Sequence, residues 1–286
     1  MFGTLFVVGT PIGNLGDLTD RARETLARVA LVAAEDTRRT GRLLAGLEIR
    51  KPMLSLFEGN ERARVPQIIT RLRAGDDVAL VTDGGMPGVS DPGFRLVRAA
   101  AAEGIDVRVI PGPSAAIAAL VVSGLPTDRF VFEGFLPKKK GERLRRLGEL
   151  ATEPRTIVCF ESPARVHAML RDLLSAMGDR HVAVTRELTK LHEEVLRGTV
   201  SEVLDGIRDA PLKGEVTVVI AGSPPPGSAD MASHVSEVEA LVGTGMRRRA
   251  AAHEVAARHG VSANALYRAS IGDGSPEEAE EPNESD

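Results

Sequence analysis

Twelve residues, Thr82 to Gly93, hold four glycines, two prolines and two aspartates. Before them stands the short apolar run Val78-Ala79-Leu80-Val81, the signature of a buried strand. After them Phe94-Arg95-Leu96-Val97-Arg98-Ala99 resumes a helical pattern. Glycine lets a backbone approach a ligand or take positive φ, and proline stiffens a loop in advance. An ordinary turn needs one or two such residues rather than eight. A strand that empties into such a loop and then a helix is where open α/β sheets bind their ligands.

The same grammar recurs along the chain. A first strand over 2–8 ends in Gly9-Thr10-Pro11-Ile12-Gly13-Asn14-Leu15, which lacks both the Gly-Lys-Ser/Thr ending of a phosphate-binding loop and the dinucleotide Gly-x-Gly-x-x-Gly. A second strand, 29–34, runs into Glu35-Asp36-Thr37-Arg38-Arg39-Thr40. These charges are either a substrate-facing cluster or acids at the positive end of a helix. Helices are expected from about 19 to 28, over 61–73 and to about 103. The strand Val107-Arg108-Val109-Ile110 opens into Pro111-Gly112-Pro113-Ser114-Ala115-Ala116, where Ser114 is a helix cap or a ligand contact. This βα alternation predicts a largely parallel sheet covered by helices.

A boundary is expected between about 111 and 128. Beyond it the pattern repeats: strands over 130–136, 156–160, 181–185 and 215–220, helices to 177 and from 199 to 208, and charged exits at Glu161-Ser162-Pro163-Ala164-Arg165 and Arg186-Glu187-Leu188-Thr189-Lys190. Three of the six lysines stand together at Lys138, Lys139 and Lys140. A basic loop that meets phosphates fits this, although charge runs are commonly solvated faces. The divisions read as an N-terminal α/β domain over 1–113, a second over 114–222, a linker over 223–233, a small helical domain over 234–272 and a disordered acidic tail over 273–286. Within the helical domain, helix, Gly260-Val261-Ser262 turn and helix spell a helix-turn-helix or a small helical cap, with basic residues including Arg247 and Arg248 at its start.

Composition narrows the function classes. The tail holds seven acids and no base, so an overall charge of −4 leaves +3 for residues 1–272, compatible with an anionic partner. One cysteine, Cys159 in an apolar run, excludes an internal disulfide and a cysteine metal cluster, and reads as core. The six histidines show no ligand spacing, so no metal is expected. No stretch is long and apolar enough to cross a bilayer and no signal peptide opens the chain, which predicts a cytoplasmic protein.

Six motifs in order, Val8-Gly9-Thr10-Pro11-Ile12-Gly13-Asn14-Leu15, Glu35-Asp36-Thr37-Arg38, the 83–93 loop, Pro111-Gly112-Pro113-Ser114-Ala115, Glu161-Ser162-Pro163 and Arg186-Glu187-Leu188-Thr189-Lys190, resemble the ribosomal RNA small subunit methyltransferase I family. These are cytidine 2′-O-ribose methyltransferases of the tetrapyrrole-methylase superfamily, and the likeness runs over about residues 2–222. The family usually has Ser-Asp-Ala-Gly-Thr-Pro where this chain has Thr82-Asp83-Gly84-Gly85-Met86-Pro87, and tyrosine at Phe160. The acidic tail lies outside the pattern.

The resemblance implies two α/β domains with S-adenosylmethionine in the cleft between them, 16S (small-subunit) rRNA as substrate, and a homodimer. Its cofactor contacts fall on Pro11, Thr82, Asp83, Gly84, Val89, Ser114, Ala115 and Phe160. Methyl transfer to a hydroxyl needs alignment and a group to take the proton. The strand-end groups Glu35, Asp36, Glu187 and Lys190 are the candidate bases, the lysine only with a depressed pKa. Arg38 and Arg186 would hold phosphate, with Lys138–Lys140, Arg247 and Arg248 as further RNA contacts. The rivals are a tetrapyrrole C-methyltransferase, a protein-directed methylase of the same superfamily, and a nucleic-acid-binding regulator that reads through residues 246–271.

Overall fold

The computed structural model describes residues 1–207, 214–223 and 228–271. The expected acidic tail over 273–286 lies outside them, as does Lys213. The chain divides into two compact units, 1–223 and 224–286.

The first unit holds two five-stranded sheets. In the first, β1 (Leu5–Val8), β2 (Leu31–Ala34), β3 (Met53–Ser55), β4 (Val78–Val81) and β5 (Val107–Ile110) lie in the order β3-β2-β4-β1-β5, all parallel. The three central strands, β1, β2 and β4, are buried along their whole length, so each reads as a continuous apolar run rather than an alternating one. Helices α1 (Asp20–Arg28), α2 (Thr37–Gly46), α3 (Glu61–Arg73) and α4 (Phe94–Ala102) connect them. One apolar cluster gathers Leu5, Leu80, Ile68, Leu72 and Leu96; a second gathers Phe6, Val8, Leu26, Val32 and Leu44. Neighbouring residues of β1 thus feed opposite faces, as a strand's period of two requires.

Helix α5 (Ala115–Ser123) leaves β5 but packs on the second sheet, where Ala116, Ala119 and Leu120 meet Val158, Ala183 and Val219. That sheet contains β6 (Phe130–Phe135), β7 (Thr156–Glu161), β8 (His181–Arg186), β9 (Glu194–Thr199) and β10 (Val216–Ile220) in the order β6-β7-β10-β8-β9. Helices α6 (Lys140–Glu149), α7 (Val166–Met177) and α8 (Val200–Gly206) accompany it. Only β6 and β7 pair in parallel; the other three pairings are antiparallel. Strand β10 slots between β7 and β8 with Val216 opposite both Glu161 and Arg186. The exits of β7 and β8 therefore meet the entry of β10 at one edge of the sheet. Strands β3 and β9 have no counterpart in the sequence reading.

The second unit contains α9 (Ser228–Gly243), α10 (Arg248–His259) and α11 (Ala263–Ile271), packed around Val238, Ala252, Val255 and Leu266. Helix α9 begins inside the stretch 223–233 that reads as a linker, because Pro224-Pro225-Pro226-Gly227 ends the helix-breaking segment before Ser228. Gly260, left-handed at φ 66°, closes α10, and the Ser262 hydroxyl accepts the Ala265 N–H at 3.3 Å to open α11.

Candidate active site

The carboxyl ends of β1, β2, β4 and β5 share one edge, and loop-to-loop bonds lock them together. Thr10 and Gly85 exchange backbone hydrogen bonds of 3.0 and 2.9 Å, and the Thr10 hydroxyl donates to the Thr82 carbonyl at 3.1 Å. Gly9 and Gly112 face each other so closely that a Cβ on Gly9 would lie 2.7 Å from Gly112 Cα. Two crossing backbones need glycine at this point.

Where this edge meets the exit of β7 and the entry of β10 lies a cavity of 380 Å³. Of the positions expected to touch a cofactor, Asp83, Gly84, Val89, Ser114, Ala115 and Phe160 line it. Pro11 and Thr82 stand behind the wall. The Pro11 carbonyl would be 3.1 Å from a Cβ on Gly84, and Thr82 is buried beneath the loop. Ser114 stands at the start of α5, makes no side-chain capping bond and lines the cavity. Phe160 packs edge-on against Phe132, 5.0 Å between ring centroids, and tilted against Phe135 at 5.6 Å.

Five carboxylates line the cavity: Glu35, Asp83, Asp91, Glu161 and Glu215. Among the described residues no lysine, arginine or histidine lines it. Glu35 and Asp83 form a clasp in which the Asp83 N–H donates to Glu35 Oε2 and the Asp36 N–H donates to Asp83 Oδ1, each at 3.2 Å. Arg39 approaches Asp83 at 3.3 Å. Burial raises the pKa of Glu35, with the Asp83 N–H opposing. Burial, joined by the charge of Glu35, pushes Asp91 up to about 7, while the Thr82 hydroxyl pulls the other way. Glu161, buried at the end of β7, accepts from Arg165 at 2.5 Å and from the Ser162 N–H at 2.6 Å through one oxygen. Its other oxygen is buried without a partner among the described residues. Asp91, Glu161 and Glu215 are absent from the sequence-based site. Two of them stood in quoted motifs, and the Pro163 that follows Glu161-Ser162 was the available signal.

The other expected site residues have different duties. Asp36 caps α2, accepting the Arg38 N–H at 2.8 Å, and both of its oxygens are gripped by the Arg38 guanidinium at 3.1 and 2.7 Å. That grip holds its carboxyl far below the usual range, and in this structure Asp36 serves as a helix cap. Lys190 donates to Glu187 at 2.9 Å and lies 3.6 Å from Glu215. Burial lowers its pKa, but the two carboxylates outweigh burial and the net shift is upward. The shift is opposite to the depression that a lysine base requires. Lys190 holds Glu187 below its ordinary range, against a smaller opposing effect of burial. Lys190 and Glu187 form a strut that runs over Gly13, where a Cβ would strike Lys190 Cγ at 2.5 Å.

Arg186 pairs with Glu194 at 2.5 Å across β8 and β9. Arg38, bound through Asp36, remains 83% exposed. Lys138, Lys139 and Lys140 are exposed at the start of α6, with Lys139 3.3 Å from Glu142. In the second unit Arg247 is exposed, whereas Arg248 binds Glu239 and donates to the Ser270 carbonyl at 2.5 Å. Arg248 thus ties three helices together instead of reaching outward. Cys159 is fully buried, its thiol pushed upward by burial, in keeping with a core role. Among the described residues no cluster of potential metal ligands occurs, and no helix is long and apolar enough to cross a membrane.

The family model for tetrapyrrole (corrin/porphyrin) methylases matches residues 4–204. Among solved structures, a uroporphyrin-III C-methyl transferase from Thermus thermophilus in complex with S-adenyl homocysteine shares the fold. Its TM-score is 0.54 at 22% identity, over 77% of this chain and 97% of that one. Relatives in sequence are much nearer. The ribosomal RNA small subunit methyltransferase I of Thermotoga maritima is 51% identical over 220 residues, 77% of this chain and 99% of the relative. Its namesake from Synechocystis sp. is 44% identical over 272 residues, 94% and 98% of the two chains. The tetrapyrrole enzymes are therefore relatives in fold alone, and identity at this level along nearly whole chains makes this methyltransferase a member of the ribosomal RNA small subunit methyltransferase I family.

Proposed function

We propose that the enzyme binds S-adenosylmethionine in the 380 Å³ cavity and methylates the ribose 2′-oxygen of a cytidine in 16S rRNA. The observation that carries this reading is the sign of the wall: five carboxylates and, among the described residues, no base. A ligand with a sulfonium and an ammonium group is matched by that wall. Ile12, Met86, Val89, Phe135 and Phe160 supply apolar surface for an adenine ring. The unpartnered oxygen of Glu161 is an acceptor waiting for a ligand donor, since a buried carboxylate oxygen is costly to leave unpaired.

When bound, the sulfonium supplies an electrophilic methyl group. The chain's own residues align the acceptor with it, exclude water and receive a proton. Exposed Lys138–Lys140 and Arg38 are placed to meet RNA phosphates in this reading. Ile117 and Val121, one turn apart on α5 and exposed, are apolar surface for the expected homodimer.

The test is methyl transfer from labelled S-adenosylmethionine to small ribosomal subunits lacking their native modifications, with naked rRNA in parallel. The product is digested in alkali, where a 2′-O-methyl group blocks cleavage at its own linkage. A labelled, alkali-resistant dinucleotide beginning with cytidine is the expected product. Cofactor binding without label in either RNA overturns the substrate assignment.

A further inference from the structure

The reaction needs a proton acceptor beside the cavity, and most carboxylates there are already engaged. Asp36 is consumed by its helix cap and by Arg38. Glu187 binds Lys190 and accepts the Glu215 N–H at 3.2 Å. Asp83 is bridged to Arg39 and holds the Asp36 N–H. Glu161 is bridged to Arg165. Glu215 is largely exposed, with Lys190 at 3.6 Å. Glu35 has no ion pair within 4 Å among the described residues but holds the Asp83 N–H. Asp91 has neither an ion pair nor a backbone donor among the described residues, only the Thr82 hydroxyl beside it.

The loop that carries Asp91 is fixed from several sides. The Gly93 N–H donates to buried Glu61 at 2.8 Å, and the Gly88 N–H donates to the Pro92 carbonyl at 3.2 Å. Pro92 restricts Asp91 to extended backbone. Ser90, at φ 61°, sits against Gly134 of β6, where a Cβ would lie 2.7 Å from its hydroxyl. The carboxylate is therefore presented from a rigid support, as a base must be to hold one geometry through turnover.

We infer that Asp91 is the proton acceptor of the methyl transfer, with Glu35 as the charged neighbour that tunes it. The inference rests on the function proposed above. Asp91 takes the proton of the 2′-hydroxyl as the oxygen–methyl bond forms. The carbon–sulfur bond breaks with its electron pair left on sulfur, which discharges the sulfonium, and the proton passes from Asp91 to water. The charged groups that face Asp91 are Glu35 at the end of β2, Asp83 after β4, Glu161 at the end of β7 and Glu215 before β10. Glu35, Asp83 and Glu215 add to burial in raising its pKa to about 7, where a carboxylate is both half ionised at neutral pH and basic enough to be useful. A cation entering the cavity lowers that value, so binding of S-adenosylmethionine at pH 7 releases part of a proton.

Calorimetry in buffers of different ionisation enthalpy counts that proton, and turnover is followed from pH 5.5 to about 9. The wild type is expected to release about half a proton on binding S-adenosylmethionine, its kcat/KM for S-adenosylmethionine to rise up to about pH 7, and its kcat to rise with unit slope to a break below pH 7. Asp91→Asn should abolish the proton release and the slope, lower kcat by about 100-fold or more, and leave S-adenosylhomocysteine affinity within about twofold. Glu35→Gln should shift the rising limb to lower pH. An Asp91→Asn enzyme with wild-type rate and slope overturns the inference. Equal loss of S-adenosylhomocysteine binding and of rate overturns it too, because Asp91 would then be only a wall of the site. A Glu35→Gln enzyme without the limb, beside an Asp91→Asn enzyme that keeps it, reverses the roles. Failure of the wild type to methylate either RNA speaks against the substrate, while the proton count still reports on Asp91.

Discussion

Arg143 is nine-tenths or more buried, with both Nε and Nη2 on Asp172 at 2.8 and 2.5 Å, and its Nη1 donates to the carbonyls of Pro137 and Lys138 at 3.3 and 3.1 Å. One side chain thus neutralises a buried acid and shapes the turn that presents Lys138–Lys140. Removing one partner of a buried pair leaves an uncompensated charge, which costs about 3–5 kcal/mol, whereas replacing both by apolar residues is often near neutral. Arg143→Met should therefore lower unfolding free energy in urea by about 3–5 kcal/mol, and Arg143→Met with Asp172→Leu should recover most of it. The double variant should still methylate RNA with a raised KM, since the carbonyls of the basic turn have lost their donor. Sequence could not show any of this, because Arg143 sits in a run of charges that looks wholly solvated. The same blindness explains Lys190 and Asp36: residue type and position were legible, but the sign of a lysine's shift depends on which carboxylates close around it. Asp91, in contrast, stands in the most telling loop, but nothing in the sequence separates its surroundings from those of Asp83 in the same loop.

The strands that sequence did not reveal are β3 and β9, both at sheet edges. Strand β3 has three residues, and β9 reads Glu194-Val195-Leu196-Arg197-Gly198-Thr199, with charges and a glycine that lower its strand character. Edge strands carry such residues because an unpaired edge invites aggregation. The buried central strands were plain for the opposite reason, being short apolar runs between loops. The mixed pairing of the second sheet was invisible because βα alternation fixes the neighbours of parallel strands but says nothing of a last strand slotting antiparallel between two of them. A smaller irregularity has more bearing on function. Strand β6 shifts register between Phe132 and Gly134, and Gly134 takes φ 63°, which brings the bulge against Ser90. Gly134→Ala should cost about 1–2 kcal/mol for left-handed backbone alone. It should also weaken S-adenosylhomocysteine binding, by displacing the Ser90–Asp91 segment. Adding Ser90→Ala should restore binding, by removing the 2.7 Å contact, but not stability, because the backbone strain remains. Equal recovery of both would mean that the bulge has no part in holding the loop.

Across the whole molecule, the six motifs all fall within residues 1–223, the first compact unit, and so do all the residues that line the cavity. The Thermotoga relative matches over 220 residues that make up 99% of its length, close to the extent of that unit alone. The second unit has its own core around Val238, Val255 and Leu266, which is what an independently folding attachment requires. Its exposed basic side chains, Arg247 and Arg249 at the start of α10, suit phosphate contact, while Arg248 is spent on internal bonds. Truncation after Ser223 should therefore leave the melting of the first unit and S-adenosylhomocysteine affinity unchanged. The KM for the RNA substrate should rise by about tenfold at moderate salt, with a shallower dependence on salt concentration because fewer phosphate contacts are made. Arg247→Ala with Arg249→Ala in the full chain should reproduce most of that rise, and Arg248→Ala should instead loosen the helical unit, seen as a lower melting temperature of that unit. If truncation abolishes cofactor binding, the second unit supports the first structurally. If it changes neither KM nor the salt slope, the attachment serves something other than the RNA.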